Sequence, residues 1–252
     1  MYKRQYLDNI LFAIILVLGI GFFAQNVKKL IRNIKLGQDV DRTDNPKERW
    51  RNMAMIALGQ SKMVKRPVAG ILHIIVYLGF IIINIEVLEI LIDGLFGTHR
   101  VFSFLGGFYN VLIGSFEVLA FLVIVAIATF YIRRNIIKLK RFISNDLTGW
   151  PKSDANNILY FETVLMVLFL VLNAADLHLQ TLGVGHYNQA GAFPVSQFIA
   201  PIFNGISENI VVLIERAAWW LHIVGILIFL NYLYYSKHLH ILLAFPNTYF
   251  AN

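Results

Sequence analysis

The sequence predicts an all-α integral membrane protein, a bundle of five transmembrane helices with the N-terminus outside and the C-terminus in the cytoplasm. Three observations carry that prediction. Of 252 residues, 58% are hydrophobic and only 15% charged, where a soluble domain would carry about 25% charged residues; the mean hydropathy is +0.63. The apolar residues stand in long runs, not in the short alternating segments of a transmembrane barrel. Lysine and arginine, finally, are concentrated in alternate loops.

Crossing a bilayer core takes about 20 apolar residues. The first span is read over 7–25; it lacks a small-residue cleavage site and continues into a basic segment, so no removable signal peptide is expected. The second, 68–95, is entered through Lys65-Arg66-Pro67, and proline suits the first turn of a helix. The third covers 108–132 and the fourth 157–179. The fifth covers 209–240, its apolar body ending near Tyr235. Trp50, Met53, Ile56 and Ala57 recur at helical spacing and predict an amphipathic cytoplasmic helix over 48–63. The fourth loop, with Gly183, Gly185, Gly191, Pro194, Pro201 and Gly205, is read as a periplasmic cap in which His186 is flexible.

The first loop holds eleven Lys and Arg residues and the third holds six, against Arg100 alone in the second and none in the fourth. Positive charge is retained in the cytoplasm, which places loops one and three inside and outvotes Lys3 and Arg4 at the N-terminus. The net charge of +7 is therefore a topology signal and not a sign of nucleic acid. The chain has no cysteine, which excludes disulfides, thiolate catalysis and an iron–sulfur cluster held within these residues. No phosphate-binding loop, H-E-x-x-H or G-x-S-x-G is present.

Histidines in apolar spans are the chemical signal, because ionisable groups at membrane depth are expensive to keep. His222 and His240 are eighteen residues apart: on one helix that makes about five turns, so one face, and roughly 27 Å of rise. One helix would then carry an imidazole toward each membrane surface, as two stacked haem b groups require. His73, early in the second span, is level with His240 and is its expected axial partner. Gly70 and Gly79 would let a porphyrin approach the backbone or would serve helix packing. For His222 the candidate partner is His178, which alternatively caps Asp176 or closes a quinone site; His99 and His238 are secondary candidates. Among the acidic residues of the outer half, Glu86 and Glu117 are the deepest and are candidates for proton release from a quinol.

These histidine-bearing helices resemble the cytochrome b (gamma) subunit of respiratory nitrate reductase, through Leu221-His222, His238-Leu239-His240 and Gly70-Ile71-Leu72-His73. The chain is still more similar to the related membrane domain of heterodisulfide-reductase-like iron–sulfur oxidoreductases. That resemblance implies a multi-pass protein of the bacterial cytoplasmic membrane that passes electrons between quinol, one or two haem b groups and a cytoplasmic iron–sulfur module. It also implies that Ala244 to Phe250 is the join to such a module, so that the chain is an N-terminal fragment. Where the family carries a second histidine on its second helix, this chain has Ile83, which leaves the outer haem without its usual ligand. Two other readings are a haem-free proton relay or transporter and a membrane anchor for a soluble partner.

Overall fold

The structure, a computed structural model, describes residues 2–38 and 40–251, with the side chains of residues 2–6 and 141 excepted. Lys3, Arg4 and Arg141, which enter the charge comparison, therefore lie outside the described side chains. The fold is all-helical, 79% helix, with no strand among the described residues. The long helices are α1 (Tyr2–Ile34), α3 (Pro67–Phe96), α4 (Gly107–Tyr131), α5 (Trp150–Thr181) and α6 (Glu208–Tyr232); α2 (Pro46–Met53) and α7 (His240–Tyr249) are short. Five helices are long and apolar enough to cross a membrane.

The long helices pack in cyclic order, α1 on α3, α3 on α4, α4 on α5, α5 on α6 and α6 back on α1. Their side chains set the approach. Phe12 of α1, 2% exposed, lies against Gly94 of α3, where a Cβ would stand 2.7 Å from its ring, and its ring centroid is 5.3 Å from that of Trp219 on α6. Asn231 of α6 donates to the Gly19 carbonyl of α1 at 3.0 Å. Gly79 of α3 faces Val123 of α4, whose Cγ2 lies 2.5 Å from a built Cβ, and Gly70 faces the Met63 carbonyl at 2.6 Å. Both glycines thus serve protein–protein packing.

Two ends of the ring differ. At the basic end lie the lysine- and arginine-rich connections 35–66 and 137–149 and α7. There α2 continues through a π-turn, Ala54–Leu58, and stops at Gly59, short of the expected Met63. It packs on α7: Trp50 meets Tyr249 at 5.3 Å between centroids, and Arg49 donates to the carbonyls of Tyr249 and Ala251. At the opposite, capped end, residues 182–207 fold over α5 and α6, burying Tyr187, Ala200 and Phe203 against Ala174, Leu179 and Val211. This segment is tightly bonded and contains two 3₁₀ turns, Ser196–Phe198 and Ala200–Phe203. His186 lies within it, in an exposed turn, its ring 5.6 Å from those of both His99 and Tyr187.

One expected element is broken. The fifth span does not run to His240: α6 ends at Tyr232, a 3₁₀ turn covers Leu233–Tyr235, and Ser236 is extended (φ −103°, ψ 153°) before a second 3₁₀ turn and α7. The cause is Asp154 on α5. Its carboxylate accepts the Tyr232 hydroxyl at 2.6 Å and the Lys237 amide at 3.0 Å, and Ser236 accepts the His238 amide through its own side chain. These bonds replace the next turn of helix, so the five-turn relation between His222 and His240 is lost.

Candidate functional site

The break carries His238 and His240 back over the first turns of α3. There, at the basic end, His73, His238, His240 and Glu162 come into electrostatic reach of one another. The His238 and His240 rings are 5.4 Å apart at 73°. His240 shares a proton between Nδ1 and the Lys237 carbonyl at 3.0 Å, which leaves Nε2 for another partner. His238 instead faces Glu162, Nε2 to carboxylate 3.3 Å, and packs on Phe229. The Nδ1 atoms of His73 and His238 are buried without a hydrogen-bond partner. Buried polar atoms of this kind call for a ligand or a water. Among the described residues no group of three or more His, Cys, Asp or Glu could hold a metal ion; haem needs only two axial imidazoles.

His222 is placed elsewhere. It is 2% exposed, its Nδ1 bonds the Leu165 carbonyl at 3.0 Å, and its ring lies 6.1 Å from Phe169. Phe169, fully buried, packs in the same core as Ile83, so the space between His222 and position 83 is filled by hydrocarbon. His178 is thirteen residues beyond Leu165 on α5, roughly 20 Å farther along the axis, and its ring lies against Phe203. The expected pairing of His178 with His222 is not formed, because α5 begins at Trp150 and carries His178 to the capped end. His99 is there too, bonded through Nε2 to Asp176 at 3.1 Å. A bis-histidine haem at His222 does not fit these residues.

The capped end holds the second constellation, which the spacing of histidines did not reveal. Its centre is Arg100, in the left-handed region at φ 51° and 7% exposed. Its guanidinium donates to Asp176 at 2.5 Å, Asn173 at 3.0 Å and Tyr109 at 3.2 Å, and stacks 5.0 Å from the centre of the Phe193 ring. Tyr109 in turn donates to Glu89 at 2.8 Å, which also accepts the Phe102 amide. Burial disfavours the guanidinium's charge, but Asp176, Tyr109 and Glu86 outweigh it and hold the arginine pKa above its ordinary value. Burial, with His99 and Arg216 beside it, holds the His186 imidazole below its ordinary value. On α6, Glu215 is bridged by Arg216 and Tyr187. A cleft of about 120 Å³ runs between these groups, with Phe12, Trp219 and Trp220 as its apolar wall.

The two proton candidates separate here. Glu117, completely buried, accepts the amides of Val195 and Ser196 at 2.9 and 3.1 Å and the Asn173 amide group at 3.2 Å. Its role is to hold the capping segment onto α4. Glu117→Ala strands the buried Ser196 amide and the half-buried Val195 amide, an expected loss of about 2–3 kcal/mol, read as faster proteolysis within 182–207 and a lower midpoint of thermal unfolding in detergent. Glu86, by contrast, lines the cleft, and its Oε2 is buried with no partner.

The fold and site define a chain with five membrane-competent helices and two polar centres, a partly exposed one of imidazoles and a buried one of ion pairs. Comparison with known proteins places it beside oxidoreductases. It is 29% identical over 243 residues to a probable iron–sulfur-binding oxidoreductase, FadF, of Bacillus subtilis, covering 96% of this chain and 32% of that protein. It is 22% identical over 220 residues to an EtfAB:quinone oxidoreductase of Syntrophomonas wolfei, covering 85% of this chain and 29% of that protein. The chain thus spans about a third of the length of these relatives, and the likeness supports an oxidoreductase-related family. No family model matches the sequence, and no solved structure matches it.

Proposed function

We propose that this chain is a membrane-embedded b-type cytochrome domain that carries electrons between quinone in the bilayer and an iron–sulfur module. The observation that carries the reading is the meeting of His73 on α3 with His240 at the start of α7, each with a ring nitrogen left over for a ligand. A haem b bound there would supply one-electron redox chemistry. The protein's part is to aim two imidazoles from separate elements and to fix the His240 tautomer through the Lys237 carbonyl. His222 lacks a second imidazole, which favours one haem per chain over two. The nitrate-reductase-gamma likeness, the haem and its ligands all belong to this proposal.

The names of the relatives support the electron partners, iron–sulfur for one and quinone for the other. Without a cysteine in the chain, thiolate-held clusters sit in another segment or subunit. The lysine and arginine excess at the basic end orients that end toward the cytoplasm, with the N-terminus outside and the bacterial cytoplasmic membrane as the location. An iron–sulfur module then docks beside α2 and α7, close to the histidines. A reduced-minus-oxidised visible spectrum of the purified protein, with haem counted per chain, tests the reading. One haem per chain is expected, and the absence of haem bands in protein made with haem supplied sinks it.

A further inference from the structure

We propose that the cleft at the capped end is a one-sided proton port that ends at Glu86, whose carboxyl group exchanges protons with water entering from that end. Glu86 is 5% exposed, lines the cleft and leaves Oε2 without a partner. Its acidic neighbours are all engaged: Glu89 by Tyr109 and the Phe102 amide, Asp93 by the Arg100 and Val101 amides, and Asp176 by Arg100 and His99. Among the buried carboxylates described in the cleft, Glu86 alone keeps a carboxyl oxygen without a partner.

The surroundings suit a proton and little else. From α4 Glu117 and from α5 Asp176 face Glu86, Glu89 adjoins it on α3, and Arg100 reaches it from the loop. Across the cleft stand the Glu215–Arg216 pair of α6, Asp8 of α1 and His186 of the cap. Both arginines that line the cleft are committed to carboxylates, so among the described residues lining it neither cation is free to hold an anion. The cleft is polar and roomy enough for water, and Asp8 at its α1 side is exposed. Toward the basic end it is closed. One turn below Glu86, Ile83 packs in one core with Phe116 and Phe169, none of the three more than 6% exposed. Water therefore reaches Glu86 from the capped end only. The step is carboxylate plus hydronium giving carboxylic acid plus water, with no oxidant or reductant. Its use rests on the electron-transfer reading: a proton taken at Glu86 offsets the charge of an electron arriving within the membrane.

An apolar carbodiimide, which modifies protonated carboxyl groups in membrane pockets, tests the port on the purified full chain, with peptide mass spectrometry as the readout. An adduct at Glu86 is expected, its yield falling about tenfold or more between about pH 6 and about pH 9. E86Q should lose it and E89Q keep it. An adduct equally abundant at Glu89 or Glu215, or a yield at Glu86 that does not change with pH, overturns the proposal. The wild-type profile decides the matter even where E86Q fails to assemble. The adduct needs no haem, so a chain that forms it but shows no visible bands keeps the port and loses the electron-transfer reading.

Discussion

Arg100→Ala is expected to be the most destabilising single change in the chain. The guanidinium is the shared donor for Asp176, Asn173 and Tyr109, and these three sit on two different helices beneath the capping segment. Truncation leaves the Asp176 carboxylate, 2% exposed, with only His99 beside it. Breaking a buried pair from one side costs about 3–5 kcal/mol, because the remaining charge has no water to return to. For a domain of this size that is roughly 10 °C in the midpoint of thermal unfolding, measurable in detergent by tryptophan fluorescence. Lysine in place of Arg100 should recover only part of the loss, since one ammonium cannot reproduce three directed N–H bonds. The partnership predicts more than the size of the effect: in Arg100→Ala combined with Asp176→Asn the two losses should be clearly less than additive. Additive losses would mean that Arg100 matters through its stacking on Phe193 alone.

The same residue marks where sequence reading stops. The five spans were readable because a bilayer imposes about 20 apolar residues per crossing, and that constraint is local to each run. Arg100 entered only as the single positive charge of its loop. The signal of its burial, one arginine beside Glu86, Glu89 and Asp93 on the preceding span, was present but was counted toward topology. The end of α6 was hidden more thoroughly. Leu233-Tyr234-Tyr235-Ser236 contains neither glycine nor proline, and the helix stops because Asp154, far away in the chain, accepts the Lys237 amide. A helix end set by a tertiary hydrogen bond leaves no local trace. The eighteen-residue spacing of His222 and His240 therefore does not mark one helix face, and it lent His222 a role for which the described residues provide no second imidazole. The place of Glu117 was hidden likewise, since its partners are backbone amides of the cap, which no pattern of side chains announces.

Replacing His240 should abolish haem binding, whereas replacing its neighbour two residues away should not. Both imidazoles lie at the basic end within reach of His73, so proximity does not decide between them. Their hydrogen bonds do. His240 turns Nδ1 to a backbone carbonyl, the arrangement that fixes a ligating imidazole with Nε2 toward the iron. His238 turns its own Nε2 toward Glu162 at 3.3 Å, and its Nδ1 is buried against the protein. His73→Ala and His240→Ala should each remove the reduced haem bands, because in the proposed site each would supply one of the two imidazoles that hold the haem. His238→Ala and His178→Ala should keep one haem per chain. Glu162→Gln discriminates further: it removes the carboxylate that faces His238 and leaves the His240 bond to the Lys237 carbonyl in place, so haem content should stay and only the band shape or potential should move. Haem retained in His240→Ala but lost in His238→Ala would reverse the assignment and give the ligand role to His238.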